Sequence, residues 1–147
     1  MIREMEEKEM SAVLQLWLET NQQAHDFIPA AYWAAQMPFV EKAFPQAEVY
    51  VFEQAGEILG FLGLSEEHIE GIFVRRENQS QGIGKALLSY AKAKKSRLTL
   101  AVYEKNNHAR RFYQREGFLM EKSSIDSNTG EAELELFWER EEGTHGD

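Results

Sequence analysis

Cysteine is absent from the 147-residue chain, so neither disulfides nor thiolate zinc sites are available to it. No apolar run approaches the roughly 20 residues of a membrane-spanning helix, so no membrane partner is expected. The opening residues, Met1-Ile-Arg-Glu-Met-Glu-Glu-Lys8, are charged and have no apolar signal-peptide core. A cytoplasmic location is the expectation. There are no repeats, linkers or low-complexity blocks, and no His, Asp or Glu set has metal-ligand spacing. No metal is expected. What remains is a chain with 43% apolar residues, enough for one globular domain with a real core. Residues 1 to 140 are expected to form it, with 141 to 147 as a disordered tail.

The net charge is −9, which argues against nucleic acid as a partner. Its distribution says more. From Arg75 to Arg115 there are eleven Lys or Arg against Glu77 and Glu104, so this segment is +9 and the remainder −18. A local positive field would attract a phosphorylated ligand, and the acidic remainder a cationic one. For any single lysine here, solubility is explanation enough.

The pattern along the chain is mixed. Ile2-Arg3 opens a short strand. Lys8 to Thr20 has helical apolar spacing, with Met10, Val13, Leu14, Trp17 and Leu18 on one side. Asn21 to Pro29 connects it to a second helical stretch, Ala30 to Ala43, which Pro38 should kink or divide. Three strands follow, Glu48 to Glu53, Ile58 to Ser65 and His68 to Val74. Then come a helix from Gly84 to about Lys95, a strand from Leu98 to Val102 and a helix from about Asn107 to Glu116, stopped by Gly117. A hairpin of Phe118–Ile125 and Ala132–Glu139 closes the pattern. The fold class is α/β (α+β), a single domain with a mixed, mostly antiparallel sheet flanked by helices.

The third strand runs into Glu77-Asn-Gln-Ser-Gln-Gly-Ile-Gly-Lys85 and then into a helix. A helix N-terminus has unpaired amides and partial positive charge, and Gly82 and Gly84 let a ligand approach the backbone. This suits a phosphate or pyrophosphate. The loop is not a P-loop, and it is not the dinucleotide fingerprint, because Leu87 stands where a third glycine belongs. A tight loop without a ligand is the plainer alternative.

Gln79-x-x-Gly82-x-Gly84 resembles the acyl-CoA pyrophosphate loop, Q/R-x-x-G-x-G/A, of the GNAT superfamily of N-acetyltransferases. Asn106-x-x-Ala109-x-x-x-Tyr113-x-x-x-Gly117-Phe118 resembles the superfamily's second signature, at about the usual separation. His25-Asp26-Phe27 and His68-Ile69 are similar to the small bacterial YjaB type. The resemblance is strongest over residues 68 to 118 and implies a GNAT-like domain with acetyl-CoA as cosubstrate. The amides of Gln81, Gly82, Ile83, Gly84 and Lys85 would hold the pyrophosphate, with a side-chain contact from Gln79, and Ser80 belongs to the same cofactor-binding loop. Backbone groups of Ile72, Phe73 and Val74 would hold the pantetheine arm, where the resemblance implies that the strand splays from its neighbour. Asn106 matches a cofactor-binding Asn and is equally suited to cap a helix.

Tyr113 matches the family tyrosine near the cofactor sulfur, and a phenol is a reasonable donor to a leaving thiolate. The position at which many members carry a basic Glu is His68 here. Imidazole can act as a base near neutral pH; Glu70, His25 and a water chain are the alternatives. His108 and His145 read as surface residues. The expected activity is transfer of an acetyl group from acetyl-CoA to a primary amine of a small molecule or peptide, by a monomer or homodimer. The acidic remainder of the chain favours cationic acceptors. A non-catalytic acyl-CoA-binding or regulatory module is the alternative, and an acetyltransferase acting on charged tRNA is disfavoured by the acidic surface.

Overall fold

Strand alternation sorts the apolar residues of the middle of the chain onto two faces. In the computed structural model, which describes residues 1–141, β2 (Glu48–Gln54), β3 (Glu57–Ser65) and β4 (His68–Val74) form an antiparallel meander. Tyr50, Leu62, Leu64 and Ile69 point into one core, and Val49, Val51 and Phe61 into another. The sheet is therefore covered on both faces.

Seven strands complete it in the order β1-β2-β3-β4-β5-β7-β6, with β1 (Ile2–Glu4), β5 (Arg97–Tyr103), β6 (Leu119–Ile125) and β7 (Ala132–Glu139). All neighbours are antiparallel except β4 and β5. On one face α1 (Met10–Ala24) buries Val13 and Leu16 against Val51 and Phe61. Trp33 of α2 (Ala30–Ala43) meets Trp17 edge-on at 5.9 Å. On the other face α3 (Ile83–Lys94) buries Ile83, Leu87, Leu88 and Ala91, and α4 (Asn107–Arg115) buries Tyr113.

Two expectations change. The first helix does not stop at Thr20 but runs to Ala24. Thr20 Oγ1 donates to the Leu16 carbonyl at 2.7 Å and Asn21 Nδ2 to the Trp17 carbonyl at 2.9 Å, so both polar side chains are satisfied inside the helix. Pro38 does not divide α2. Only the bond that its missing N–H would have given to the Ala34 carbonyl is lost, on a helix whose one buried residue is Trp33. The strand, hairpin and remaining helix expectations hold within a residue or two. The expected tail lies outside the described residues except for Glu141.

Candidate active site

β4 and β5 are paired only at His68 and Thr99, where Thr99 N–H also donates to the Glu67 carbonyl at 3.0 Å. Beyond that point the two strands part, as the resemblance implied. Arg75 N–H donates to the Leu59 carbonyl at 2.8 Å. An antiparallel ladder alternates, so Phe73 bonds towards Phe61 while Ile72 and Val74 turn their backbone groups to the gap. The Val74 carbonyl accepts from Gln79 Nε2 at 3.1 Å. The Gln79 amide thus braces the strand end and the loop against each other. The Phe73 ring stacks on Phe61 with centroids 4.8 Å apart and lies over Gly71, and its backbone is turned to β3, so of the three residues expected to offer backbone groups to the gap only Ile72 and Val74 do so.

The loop then turns through Ser80 at φ +64° and Gly82 at φ +90°. Gly82 is the N-cap of α3, and a Cβ there would meet nothing within 4 Å. Glycine is required by conformation, and the space above it is open. The first bond within the helix runs from Ala86 N–H to the Gly82 carbonyl at 3.0 Å. The amides of Ile83, Gly84 and Lys85 therefore point out of the helix end, where the dipole favours an anion. Arg76, Lys85 and Arg115 line the same cavity as the loop. Free amides, open space and cations together fit a pyrophosphate.

The cavity containing the gap and the loop has a volume of about 1410 Å³. That exceeds the range of about 300–1,000 Å³ usual for a single small ligand, so it has room for two substrates. Tyr113 lines it from α4, buried between Phe112 and Phe118 with ring centroids at 5.1 and 5.4 Å. Burial pushes its phenol well above the ordinary value near 10, so the hydroxyl keeps its proton. Among the described residues nothing is hydrogen-bonded to that hydroxyl.

The opposite wall is aromatic. His25 stacks on Trp33 at 5.1 Å and meets Phe27 and Tyr103 edge-on at 5.7 and 5.2 Å. Its Nδ1 lies 3.0 Å from the Asn21 carbonyl and its Nε2 3.2 Å from Asn106 Nδ2. A carbonyl only accepts and an amide nitrogen only donates, so the ring is the neutral tautomer with hydrogen on Nδ1. Desolvation also lowers its pKa below 6.5. Asn106 Oδ1 accepts from Ala109 N–H at 3.2 Å. The capping role expected for Asn106 is present, and its amide nitrogen holds His25.

The structure brings Ile72, Phe73, Val74, Gln79, Ser80, Gly82, Gly84, Lys85, Asn106 and Tyr113 to one cavity. Gln81 and Ile83 are not in its lining, and the Ile83 side chain is in the core. His68 stands apart. It is at the paired end of β4, with Nδ1 2.9 Å from Thr99 Oγ1, and does not line the cavity. Glu70 does. A β-bulge at this residue, between the pairs Gly63–Gly71 and Leu64–Ile69, sets its Cβ 3.6 Å from where a Cβ on Gly63 would stand. Sequence reasoning passed over Tyr103 and Glu133, which line the cavity from β5 and β7. Their only sequence signal is alternation, which does not say which strands are neighbours. Among the described residues no group of three or more His, Asp or Glu could hold a metal ion, and no helix is long and apolar enough to cross a membrane.

Known proteins share this arrangement. The family model described as an acetyltransferase (GNAT) domain matches residues 45–119. The chain is 41% identical over 120 residues to peptidyl-lysine N-acetyltransferase YiaC of Escherichia coli strain K12, covering 80% of this chain and 82% of that protein. It is 32% identical over 127 residues to peptidyl-lysine N-acetyltransferase YjaB of Salmonella typhimurium, covering 85% and 88%. The solution structure of apo-form YjaB from Escherichia coli superposes with a TM-score of 0.83 at 26% identity, over 96% of this chain and 98% of that one. With the splayed strands, the amide-lined loop and a match over more than half its length, the chain belongs to the GNAT acetyltransferase family.

Proposed function

We propose that this enzyme acetylates lysine side chains in proteins or peptides. As a GNAT acetyltransferase it takes acetyl-CoA as cosubstrate and an amine as acceptor. The observation that carries the reading is a single cavity whose lining holds two chemically different sets of groups. Amides and cations at the loop suit the cosubstrate's phosphates, while Glu70 and aromatic rings in the same lining suit a cationic alkyl chain. The similarity to two proteins named peptidyl-lysine N-acetyltransferases supports lysine as the acceptor.

The residues divide the work as follows. The amides of Ile83, Gly84 and Lys85 hold the pyrophosphate, and the backbone of Ile72 and Val74 holds the pantetheine amides in the gap. The thioester is thereby oriented towards Tyr113. Glu70, directly or through one water, takes a proton from the arriving ammonium, because only a neutral nitrogen has the lone pair that attacks. A C–N bond forms at the acetyl carbon as the C–S bond breaks. Tyr113 gives its hydroxyl proton to the departing sulfur, and solvent restores it. We prefer Glu70 to His68 as the base because Glu70 lines the cavity and His68 does not.

The test is acetylation of a lysine-containing peptide by the purified protein. Coenzyme A release and acetyl incorporation, read by mass spectrometry, should appear together and depend on the lysine. Thiol release without incorporation, or transfer to simple amines with none to lysine peptides, would sink the lysine assignment.

A further inference from the structure

On β7, Leu134 and Leu136 face the core, so Glu133, Glu135, Phe137 and Glu139 share the opposite face. Two of these carboxylates are answered across the sheet. Glu135 pairs with Lys122 at 3.6 Å and Glu139 with Arg97 at 3.0 Å. Just before the strand, Glu131 pairs with Lys105 at 3.1 Å. Glu133 breaks the series. Its cross-strand neighbours are Tyr103 and Ser124, and among the described residues no cation is paired with it. This is also the carboxylate of the series that lines the cavity.

Its surroundings are built for a positive guest. Glu133 is partly buried, and that burial, followed by the charges of Asp126 and Glu135, raises its pKa. Asp126 is already occupied by the Tyr103 hydroxyl at 2.5 Å. Phe27 and Trp33 meet the Tyr103 ring edge-on at 5.8 and 6.4 Å, so aromatic surface stands beside the unanswered charge. Trp33 is only 7% exposed and its indole Nε1–H has no hydrogen-bond partner. An indole N–H only donates, so the group that would satisfy it is a hydrogen-bond acceptor, such as a peptide carbonyl.

Position decides which charge Glu133 receives. β7 lies on the far side of β5 from the gap, so a nitrogen in the gap is separated from Glu133 by the width of β5, more than the roughly 5 Å of one strand spacing. The reacting nitrogen must be at the gap, beside Tyr113. An extended peptide advances about 3.3 Å per residue, so a residue two or three positions from the acetylated lysine spans that distance. We propose that Glu133 receives a second positive charge of the acceptor, and that the enzyme selects lysines with Lys or Arg two or three residues away. This rests on the lysine-acetylating reading above.

The experiment uses the full-length protein, saturating acetyl-CoA and one host peptide with a single reactive lysine. The residue two or three positions away is Arg, Gln or Glu. A paired series compares octylamine with 1,8-diaminooctane, whose chain is long enough to span the same distance. With the wild type, kcat/KM should fall about tenfold from Arg to Gln and further for Glu, as for loss of one partly buried charge pair. Glu133→Gln should erase the preference while leaving the thermal shift with coenzyme A unchanged. Glu133→Lys should invert it towards the Glu peptide. Equal wild-type rates across each series, or a preference that survives Glu133→Gln, would overturn the inference. Transfer to the amines with none to any peptide would overturn the lysine reading instead, and a faster diamine would then still uphold the role of Glu133. Transfer to neither series would remove both.

Discussion

Asn106 Nδ2 donates to His25 Nε2 across 3.2 Å, joining the connection after α1 to the N-terminus of α4, the helix that carries Tyr113. The same asparagine caps that helix through Oδ1. The aromatic wall and Tyr113, the proposed proton donor, are thus linked by one side chain. The link holds only while His25 is neutral.

Stability should therefore depend on pH in a defined direction. The folded pKa of His25 is lowered from 6.5 by burial. Between the lowered value and 6.5 the unfolded chain binds more protons than the folded one. The stabilisation is complete above about pH 6.5 and is lost as pH falls through the folded pKa. The melting temperature should decline below pH 6.5, and His25→Gln should flatten that part of the curve. An unchanged slope in His25→Gln would remove His25 as its source.

Asn106→Ala removes both the cap and the tie to His25. The cap alone is worth about 1 kcal/mol, which urea unfolding will resolve. Because α4 presents Tyr113, kcat should fall while the affinity for coenzyme A, assigned above to the loop and β4 in the proposed reading, changes little. Asn106→Asp keeps the cap oxygen but loses the donor. It should recover stability more than kcat, and equal recovery of both would leave Asn106 as a cap alone.

Tyr113→Phe keeps the ring between Phe112 and Phe118 and loses only the hydroxyl. General-acid help is typically worth about 10²–10⁴-fold, so kcat should drop by that order with coenzyme A binding intact. Burial raises the pKa of this phenol, so the wild type should show no loss of its proton donor up to about pH 10. Undiminished turnover in Tyr113→Phe would take the tyrosine out of the mechanism.

The two base candidates separate by pH. Glu70→Gln should lower the rate most near neutrality and recover at high pH, where the amine is neutral by itself. His68→Ala should run parallel to wild type, because His68 is held by Thr99 off the cavity. A pH–rate series from about 6 to 9.5 approaches the range in which a lysine, with pKa near 10.4, loses its proton. Recovery in the His68 variant instead of the Glu70 variant would reverse the assignment.

Two glycines should respond differently to alanine. At Gly82 the obstacle is φ +90° with open space around it, so Gly82→Ala should cost about 1–2 kcal/mol and weaken coenzyme A binding. At Gly71 a Cβ would stand 2.3 Å from the Phe73 ring, which must leave its stack on Phe61. Gly71→Ala should cost about 1–3 kcal/mol of stability by overpacking. Similar melting curves for the two variants would contradict this division.

The sequence by itself determined what rests on neighbours along the chain. Alternation set the strands, 3.6-residue spacing set the helices, and Gly82 and Gly84 before an apolar helix marked the proposed anion site. Asn106 and Tyr113 were legible because both lie in one short signature. Tertiary structure decided what depends on strands finding each other. His25 and Asn106 are 81 residues apart, and nothing local announces their bond. Tyr103 meets Glu133 because β7 pairs with β5, although β6 precedes β7 in the chain. His68 looked like a base because it holds the right position in its strand. It leaves the cavity because β4 and β5 are still paired at that end and part only beyond it. A local pattern fixes the direction of a side chain, but the opening of a gap between strands belongs to the whole sheet.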